Sequence, residues 1–385
     1  MGIASKKTIK KYLPDKKKFY SNKLIMSLDP SLIMVYGKRK NGKSFDFLLY
    51  VLKRYIEHGY SALYLRRWKK DIMTAYLDTL FNGHVEAGYI KKLTKGKWQD
   101  VCYYNKAFYL CNYSEDGTRT KDKTPFMYVM CLKDAEHTKS NLNLPNCMTL
   151  FFDEFLATAG EYIPGRGKEI LLFNTILGTI DRGHKPDFKV IMIGNTLNNF
   201  CPYFQHFGLL HVEQQKPGTI EVYKYANGYT IAVERTDEQG KETKMSDKDY
   251  FWAFDDPTSK MTRSGEWEID EYPLIKQEQL DKICDENRIL TFFVKFIDEV
   301  LQCEIISDTK GIYCFCHRKT TPIRDWDNDI IYTNDHDIRP NVRDTFEQPR
   351  DQLDKAIYKL YSCRLFRYQD SMCGNTLKNY LAQFD

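Results

Sequence analysis

Residues 37–44 read Gly37-Lys38-Arg39-Lys40-Asn41-Gly42-Lys43-Ser44 and satisfy G-x-x-x-x-G-K-[ST] at every fixed position. The chemistry follows from the residue types. Gly37 and Gly42 let the backbone turn tightly with no Cβ in the way, so successive N–H groups can face an anion. Lys43 is placed to meet β- and γ-phosphates, and the Ser44 hydroxyl to ligate Mg²⁺. The eight residues therefore form a candidate ATP-binding loop, with the backbone of Lys38, Arg39, Lys40 and Asn41 lining the cradle. A glycine-rich turn ending in Lys-Ser by chance is the alternative, and the flanks argue against it. Leu32–Tyr36 before the loop is an apolar, strand-like run, and Phe45–Gly59 after it places Phe45, Leu48, Leu49, Leu52 and Ile56 at helical spacing before a glycine stop.

A second set of residues carries complementary chemistry about a hundred positions on. Met148-Thr-Leu-Phe-Phe-Asp153-Glu154 is a buried-type strand closing on two adjacent acids. Asp153 suits a metal ligand shared with Ser44, and Glu154 suits the base that polarises the water attacking a γ-phosphate. A polar residue ending the next buried strand, Asn195 after Phe188–Ile193, is a candidate for sensing that phosphate or orienting the water.

The elements that must position these residues alternate as strand, helix, strand, insertion, strand, helix, strand. That is an α/β order, expected for a P-loop ATPase of the additional-strand, catalytic-glutamate type. Ser61–Leu65 reads as the second strand and runs into Arg66-Arg67-Trp68-Lys69-Lys70; at the carboxyl end of a parallel strand Arg66 can reach nucleotide phosphate, and Lys69 can face nucleic acid. A helix is expected over Lys70–Leu80, followed by a β-rich insertion over 85–135 whose polar turn carries Arg119, Lys121 and Lys123, three further candidates for DNA contact. A helix is expected from Glu169 to Ile180 and a hairpin over Thr219–Thr236 turning at Asn227-Gly228. Leu290–Ile297, Val300–Ile306 and Gly311–His317 read as a meander, with helices over Gln352–Arg367 and Thr376–Phe384 closing the chain. The corresponding division is 1–205 for the motor, 206–272 for a linker or bridging subdomain and 273–385 for a smaller C-terminal domain.

The 385 residues allow two cores, and 42% hydrophobic with 28% charged residues is the composition of a globular protein. No apolar run reaches the roughly 18 residues of a membrane helix, so no membrane role is expected. Eleven cysteines without regular spacing suggest reduced thiols. Cys314, Cys316 and His317 lie close together, but their alternation fits a strand interior better than a zinc site. The net charge of +5 is unevenly spread: basic residues outnumber acidic ones fourteen to three over 1–54, and the acids lead fourteen to seven over 246–299. A chain of which only part meets a polyanion has this asymmetry.

With both nucleotide motifs in place, the chain resembles the DNA-packaging (encapsidation) ATPases of small short-tailed phages of the Picovirinae kind. The resemblance is carried by Gly37–Ser44, Tyr64-Leu-Arg-Arg-Trp-Lys69, Lys139-Ser-Asn with Leu144-Pro-Asn146, Phe152-Asp-Glu-Phe155 and Gly194-Asn195, over about residues 30–205. It implies a homo-oligomeric ring, a pentamer, docked on the portal (connector) of a procapsid in the host cytoplasm, where ATP and Mg²⁺ drive double-stranded DNA inward; a structural RNA is left open. It also implies that Arg182 reaches a neighbouring subunit's nucleotide, whereas the residues alone equally suit an arginine capping a helix end. Finally it implies that the C-terminal domain is RNase H-like and vestigial, in keeping with Leu290–Ile297, which has no acid in its body. Family members can carry basic residues directly after the acid pair; Phe155–Ala159 has none. The competing functions are a terminase-like motor with an active nuclease, a small-molecule kinase, and a nucleic-acid binding module with a decayed nucleotide site. Intact Gly42, Lys43, Ser44, Asp153 and Glu154 count against the last.

Overall fold

The computed structural model describes residues 3–10, 19–37, 41–135, 144–157, 161–165, 167–181, 186–195, 201–209, 212–236, 272–309 and 311–384. Lys38, Arg39, Lys40 and Arg182 therefore lie outside the described residues. The chain divides into two compact units, Met1–Leu156 with Glu169–Trp267, and Ala157–Lys168 with Glu268–Asp385.

The first unit is built on an eleven-stranded sheet. Its strands are β1 (Ile3–Lys10), β2 (Leu32–Tyr36), β3 (Ser61–Arg66), β4 (Asp100–Tyr104), β5 (Ala107–Tyr113), β6 (Arg119–Lys121), β7 (Met127–Cys131), β8 (Cys147–Asp153), β9 (Lys189–Gly194), β10 (Thr219–Tyr225) and β11 (Thr230–Arg235). They run in the order β1-β10-β11-β2-β9-β8-β3-β7-β5-β4, with β6 on β5. From β11 to β7 every pairing is parallel. The reason lies in composition: β2 is buried along its whole length and β3, β8 and β9 nearly so, as apolar runs covered on both faces must be.

The expected helix after the glycine loop forms over Lys43–His58, with Gly42 (φ 91°) at its start and Gly59 (φ 71°) at its end. Both are left-handed positions that glycine adopts without strain. Its buried stripe is Phe47, Leu48, Val51 and Leu52, each contributing about 1.5–3 kcal/mol by burial. Phe45 is instead 37% exposed, so the stripe is turned from the one expected.

Four expectations change. The helix over Lys70–Leu80 is broken into a 3₁₀ turn, Lys69–Ile72, and a single turn, Thr74–Leu77, because Asp71 Oδ2 turns back to accept from Trp68 N at 3.3 Å. The basic N-terminal stretch is in part a strand: β1 pairs antiparallel with β10, and Lys6 Nζ lies 2.9 Å from Glu221 Oε1. The hairpin β10–β11 forms, yet not as part of a linker over 206–272: β11 runs parallel to β2, and Thr236 N donates to Tyr36 O at 2.9 Å. The last expected helices are Gln352–Ser362 and Ser371–Leu381, with a short strand between them.

The second unit holds a six-stranded sheet of β12 (Arg288–Phe296), β13 (Glu299–Asp308), β14 (Gly311–Arg318), β15 (Ile330–Thr333), β16 (Val342–Arg343) and β17 (Phe366–Tyr368), in the order β16-β15-β12-β13-β14-β17. The β12–β14 meander is antiparallel, and β15 runs parallel to β12. Cys303, Cys314 and Cys316 are core residues of the meander, and burial raises all three thiol pKa values.

Candidate nucleotide site

Parallel strands all present their carboxyl ends at one sheet edge, and that edge collects most of the candidate residues. The glycine loop leaves β2, Arg66 ends β3, Asp153 ends β8 and Asn195 follows β9. Because β9 lies between β2 and β8, the loop and the acid pair are two strand spacings apart, about 10 Å. That gap is the scale of phosphates with a hydrated cation.

The described ends of the loop, Gly37 and Asn41–Ser44, are tied to their surroundings. Lys43, 6% exposed, donates from Nζ to Gly37 O at 3.1 Å. Asn41 Oδ1 accepts from Lys43 N at 3.3 Å, and Asn41 Nδ2 donates to Thr236 Oγ1 at 3.1 Å. Any other residue at Gly37 (φ 146°) is strained, and its Cβ would lie 1.9 Å from Thr236 Oγ1 and force that side chain to move. Ahead of the loop, Tyr20 N donates to Asn41 O at 2.9 Å, and Asn22 N to Asp46 Oδ2 at 2.6 Å.

The acid pair is held by β3. Tyr64 OH donates to Asp153 Oδ2 at 2.9 Å, and Arg66 Nη1 lies 3.7 Å from the same oxygen. Burial raises the Asp153 pKa, with Arg66 acting against the shift. Burial opposes the Arg66 charge, but Asp153, Tyr64 and Glu154 together raise its pKa. Arg66 Nη2 pairs directly with Glu154 Oε2, while the buried Arg66 Nε has no hydrogen-bond partner among the described residues. Glu154 itself sits in the left-handed region at φ 58°. Ser44 lies half-buried in the first turn of its helix, and Asn195 is half-buried one residue beyond Gly194. A hydroxyl and a carboxylate at this edge are hard oxygen donors of the kind Mg²⁺ takes.

The sequence reading missed residues that only the fold brings here. Arg67 is 4% exposed and meets Glu169, Glu154 O and Phe155 O. Tyr64 and Tyr203 are hydroxyl-bearing side chains among apolar neighbours, and Glu169 stands where a polar stretch meets the apolar run 170–173; nothing else in the sequence marks them.

The remaining cations separate. Lys69 is exposed at the carboxyl edge. Arg119, Lys121 and Lys123 lie on or beside the β5–β6 hairpin, which leaves the sheet in the opposite direction: β5 pairs with the start of β7 through Ala107 and Phe108 and then runs past it. There Lys121 Nζ stands 4.0 Å from the Tyr109 ring centre and 5.5 Å from that of Tyr104. The two sets of DNA candidates are therefore at opposite edges of the first unit.

A mixed α/β sheet, largely parallel, with a glycine loop and a paired acid turn at its carboxyl edge is the class of fold this chain has. Within it, the podovirus DNA encapsidation protein (Gp16) family matches residues 14–100 of this chain. The DNA packaging protein of Bacillus phage phi29 is 28% identical over 199 residues, 51% of this chain and 52% of the relative, so the match spans about half the length of that relative. In fold, the chain aligns with a chain of the bacteriophage Phi-29 viral genome packaging motor assembly at TM-score 0.55 and 18% identity, over 95% of this chain and 99% of that one. With the Phi-28 gp11 DNA packaging motor the values are TM-score 0.53, 17% identity, 95% and 98%. This chain is thus similar to the podovirus encapsidation proteins in sequence and shares the fold of packaging-motor chains.

Proposed function

We propose that the protein is the motor ATPase of a DNA-packaging machine, coupling ATP hydrolysis to translocation of double-stranded DNA into a procapsid. The observation that carries this is that Gly37 and Asn41–Ser44 share one sheet edge with Asp153 and Glu154, in a chain similar to encapsidation proteins. The strand between β2 and β8 supports the additional-strand, catalytic-glutamate subtype.

On this reading Gly42 and the helix start receive phosphate, and Lys43 exchanges Gly37 O for phosphate oxygen. Ser44 and Asp153 would hold Mg²⁺, which when bound would neutralise charge developing on the transferring phosphoryl group. Glu154 orients and deprotonates the attacking water. Its pairing with Arg66 describes a resting arrangement, because the carboxylate oxygen held by the guanidinium is not open to the attacking water. The Glu154 side chain is 48% exposed and so has room to turn away from Arg66. Arg66, with Nε unsatisfied, is then available to phosphate. Arg182 acts in the neighbouring subunit's site, and the ring is a pentamer seated on the portal.

The second unit fits an RNase H-like docking domain: a meander whose first strand is flanked by a parallel strand, with no acid in the body of β12. Its neighbouring acids are engaged otherwise, Glu299 with Arg318 at 3.0 Å and Glu304 with Arg288 at 3.1 Å. Lys69 and the Arg119, Lys121 and Lys123 hairpin are the candidate DNA contacts.

The test is ATP turnover with and without double-stranded DNA. The parent should hydrolyse ATP faster with DNA, and Glu154→Gln should bind nucleotide without turning it over. Parental turnover in Glu154→Gln would remove Glu154 as the base, and cleavage of plasmid by the parent with Mn²⁺ would favour the nuclease-bearing alternative.

A further inference from the structure

Directly beneath the acid turn lies a fully buried charged group that the hydrolysis scheme above does not use. Arg67 Nε donates to Glu169 Oε1 and Oε2, both at 3.0 Å, and its Nη2 reaches Glu169 Oε1 at 2.9 Å. The same guanidinium donates from Nη1 to Glu154 O at 3.1 Å and from Nη2 to Phe155 O at 2.5 Å. Tyr203 OH closes the group by donating to Glu169 Oε1 at 2.8 Å. Arg67, Glu169 and Tyr203 are 4%, 3% and 0% exposed.

We infer that Arg67, Glu169 and Tyr203 form a clamp that holds the backbone of the acid turn so that Glu154 is presented in one geometry. The inference rests on the ATPase reading and adds three positioning residues to it. Glu154 is one of few non-glycine residues here with positive φ, a conformation that persists only where surroundings impose it. The surroundings that impose it can be named. Arg67 takes the two successive carbonyls of Glu154 and Phe155, while Phe155 N donates to Ile193 O at 3.1 Å, fixing the turn to β9.

Two adjacent arginines thereby divide the work. Successive side chains at a strand end point to opposite sides, so Arg66 meets the Glu154 side chain and Arg67 its backbone. The Arg66 contact can be given up, since the Glu154 carboxylate is half-exposed. The Arg67 contacts are sealed, and every one uses the planar fork of a guanidinium, which lysine cannot reproduce. The group also reaches past the turn: Glu169 opens the Lys168–Ile180 helix and Tyr203 belongs to Pro202–His206, so elements before and after β9 converge on the acid turn.

Tyr203→Phe is the informative variant. Its ring stays packed on Phe152, Phe155 and Phe173, and only the hydroxyl is lost. Misplacing a catalytic group by an ångström costs about a hundredfold in rate; a clamp weakened at one bond should lower kcat by roughly tenfold, and Arg67→Lys or Glu169→Gln by about a hundredfold, each with KM for ATP within about twofold. Amide hydrogen exchange supplies a readout that a general loss of stability would not mimic: in Tyr203→Phe the Phe155 amide should exchange faster while those of β2 and the Lys43–His58 helix keep parental rates. Unchanged Phe155 exchange, or faster exchange with parental kcat, would overturn the clamp. A fall in kcat accompanied by faster exchange throughout the first unit would overturn it too, since the role would then be structural. Parental turnover in Glu154→Gln marks the separate failure of the ATPase reading, and the positioning role falls with it.

Discussion

Single residues at the site are constrained by contacts that their types alone do not announce. Gly194 ends β9 and has no positive φ to explain it, yet an added Cβ would stand 3.1 Å from Leu156 Cβ and Cγ and 3.2 Å from Phe155 Cε1. These are the side chains that follow the acid pair, so Gly194→Ala must push the turn or strain its neighbours. Overpacking of this kind costs about 1–3 kcal/mol. Urea unfolding should show that loss, and turnover should fall further than the small fraction unfolded can explain. Lys43 and Ser44 were legible because one loop conformation demands them at fixed spacing. Arg67 was not, because nothing in Arg66-Arg67 says which arginine meets the Glu154 carboxylate and which is buried beneath the turn; only the alternation of side chains at the end of β3 decides that.

At the scale of elements, legibility followed burial. Runs apolar enough for both faces of a sheet, such as Leu32–Tyr36 and Phe188–Ile193, were readable as strands, whereas β1, exposed along most of its length, shows in the sequence only as part of the basic stretch over 1–54. Its partner β10 supplies what the sequence hid. The final helix starts at Ser371, five residues before the expected Thr376, because Asp370 Oδ1 accepts from Cys373 N at 2.9 Å and caps it there. Asp370→Ala should cost the second unit about 1 kcal/mol, read as a lower denaturation midpoint with unchanged slope. A second element-level effect concerns acid. His84, in the short helix Asn82–Glu86, stacks on Phe45 at 3.9 Å, and its Nε2 donates to Phe45 O at 2.8 Å, joining that helix to the nucleotide-loop helix. Burial lowers its pKa below the ordinary histidine value of 6.5. The unfolded chain then binds the extra proton first, so stability is full above about pH 6.5 and declines as pH falls through the folded value. His206 and His317, also lowered by burial, act with the same sign. Melting temperatures measured from pH 7.5 down to 5.5 should fall, and His84→Gln should flatten the decline.

At the scale of the whole molecule, the direction of the strands bears on how many copies complete one site. Glu169 is fixed beneath the acid turn by Arg67, and the helix it opens runs to Ile180, roughly 17 Å away at 1.5 Å per residue. Asp187, beyond the span that contains Arg182, accepts from Arg54 Nη2, and Arg54 also holds Met148 O and Thr149 Oγ1 where β8 begins. The described residues on either side of Arg182 thus approach the amino edge of the sheet, away from their own glycine loop. On the proposed reading, Arg182 serves a nucleotide in another copy of the chain, and a ring follows from that role. The prediction is complementation. Arg182→Ala and Glu154→Gln should each abolish turnover alone. In rings mixed at equal ratio a competent site needs an intact Glu154 on one subunit and an intact Arg182 on its neighbour, which random assembly supplies at about one interface in four. Turnover near a quarter of the parental rate is therefore expected if sites act independently, falling back to zero as either variant is taken to excess. Mixtures as inactive as the separate variants would return Arg182 to a role at the end of its own helix.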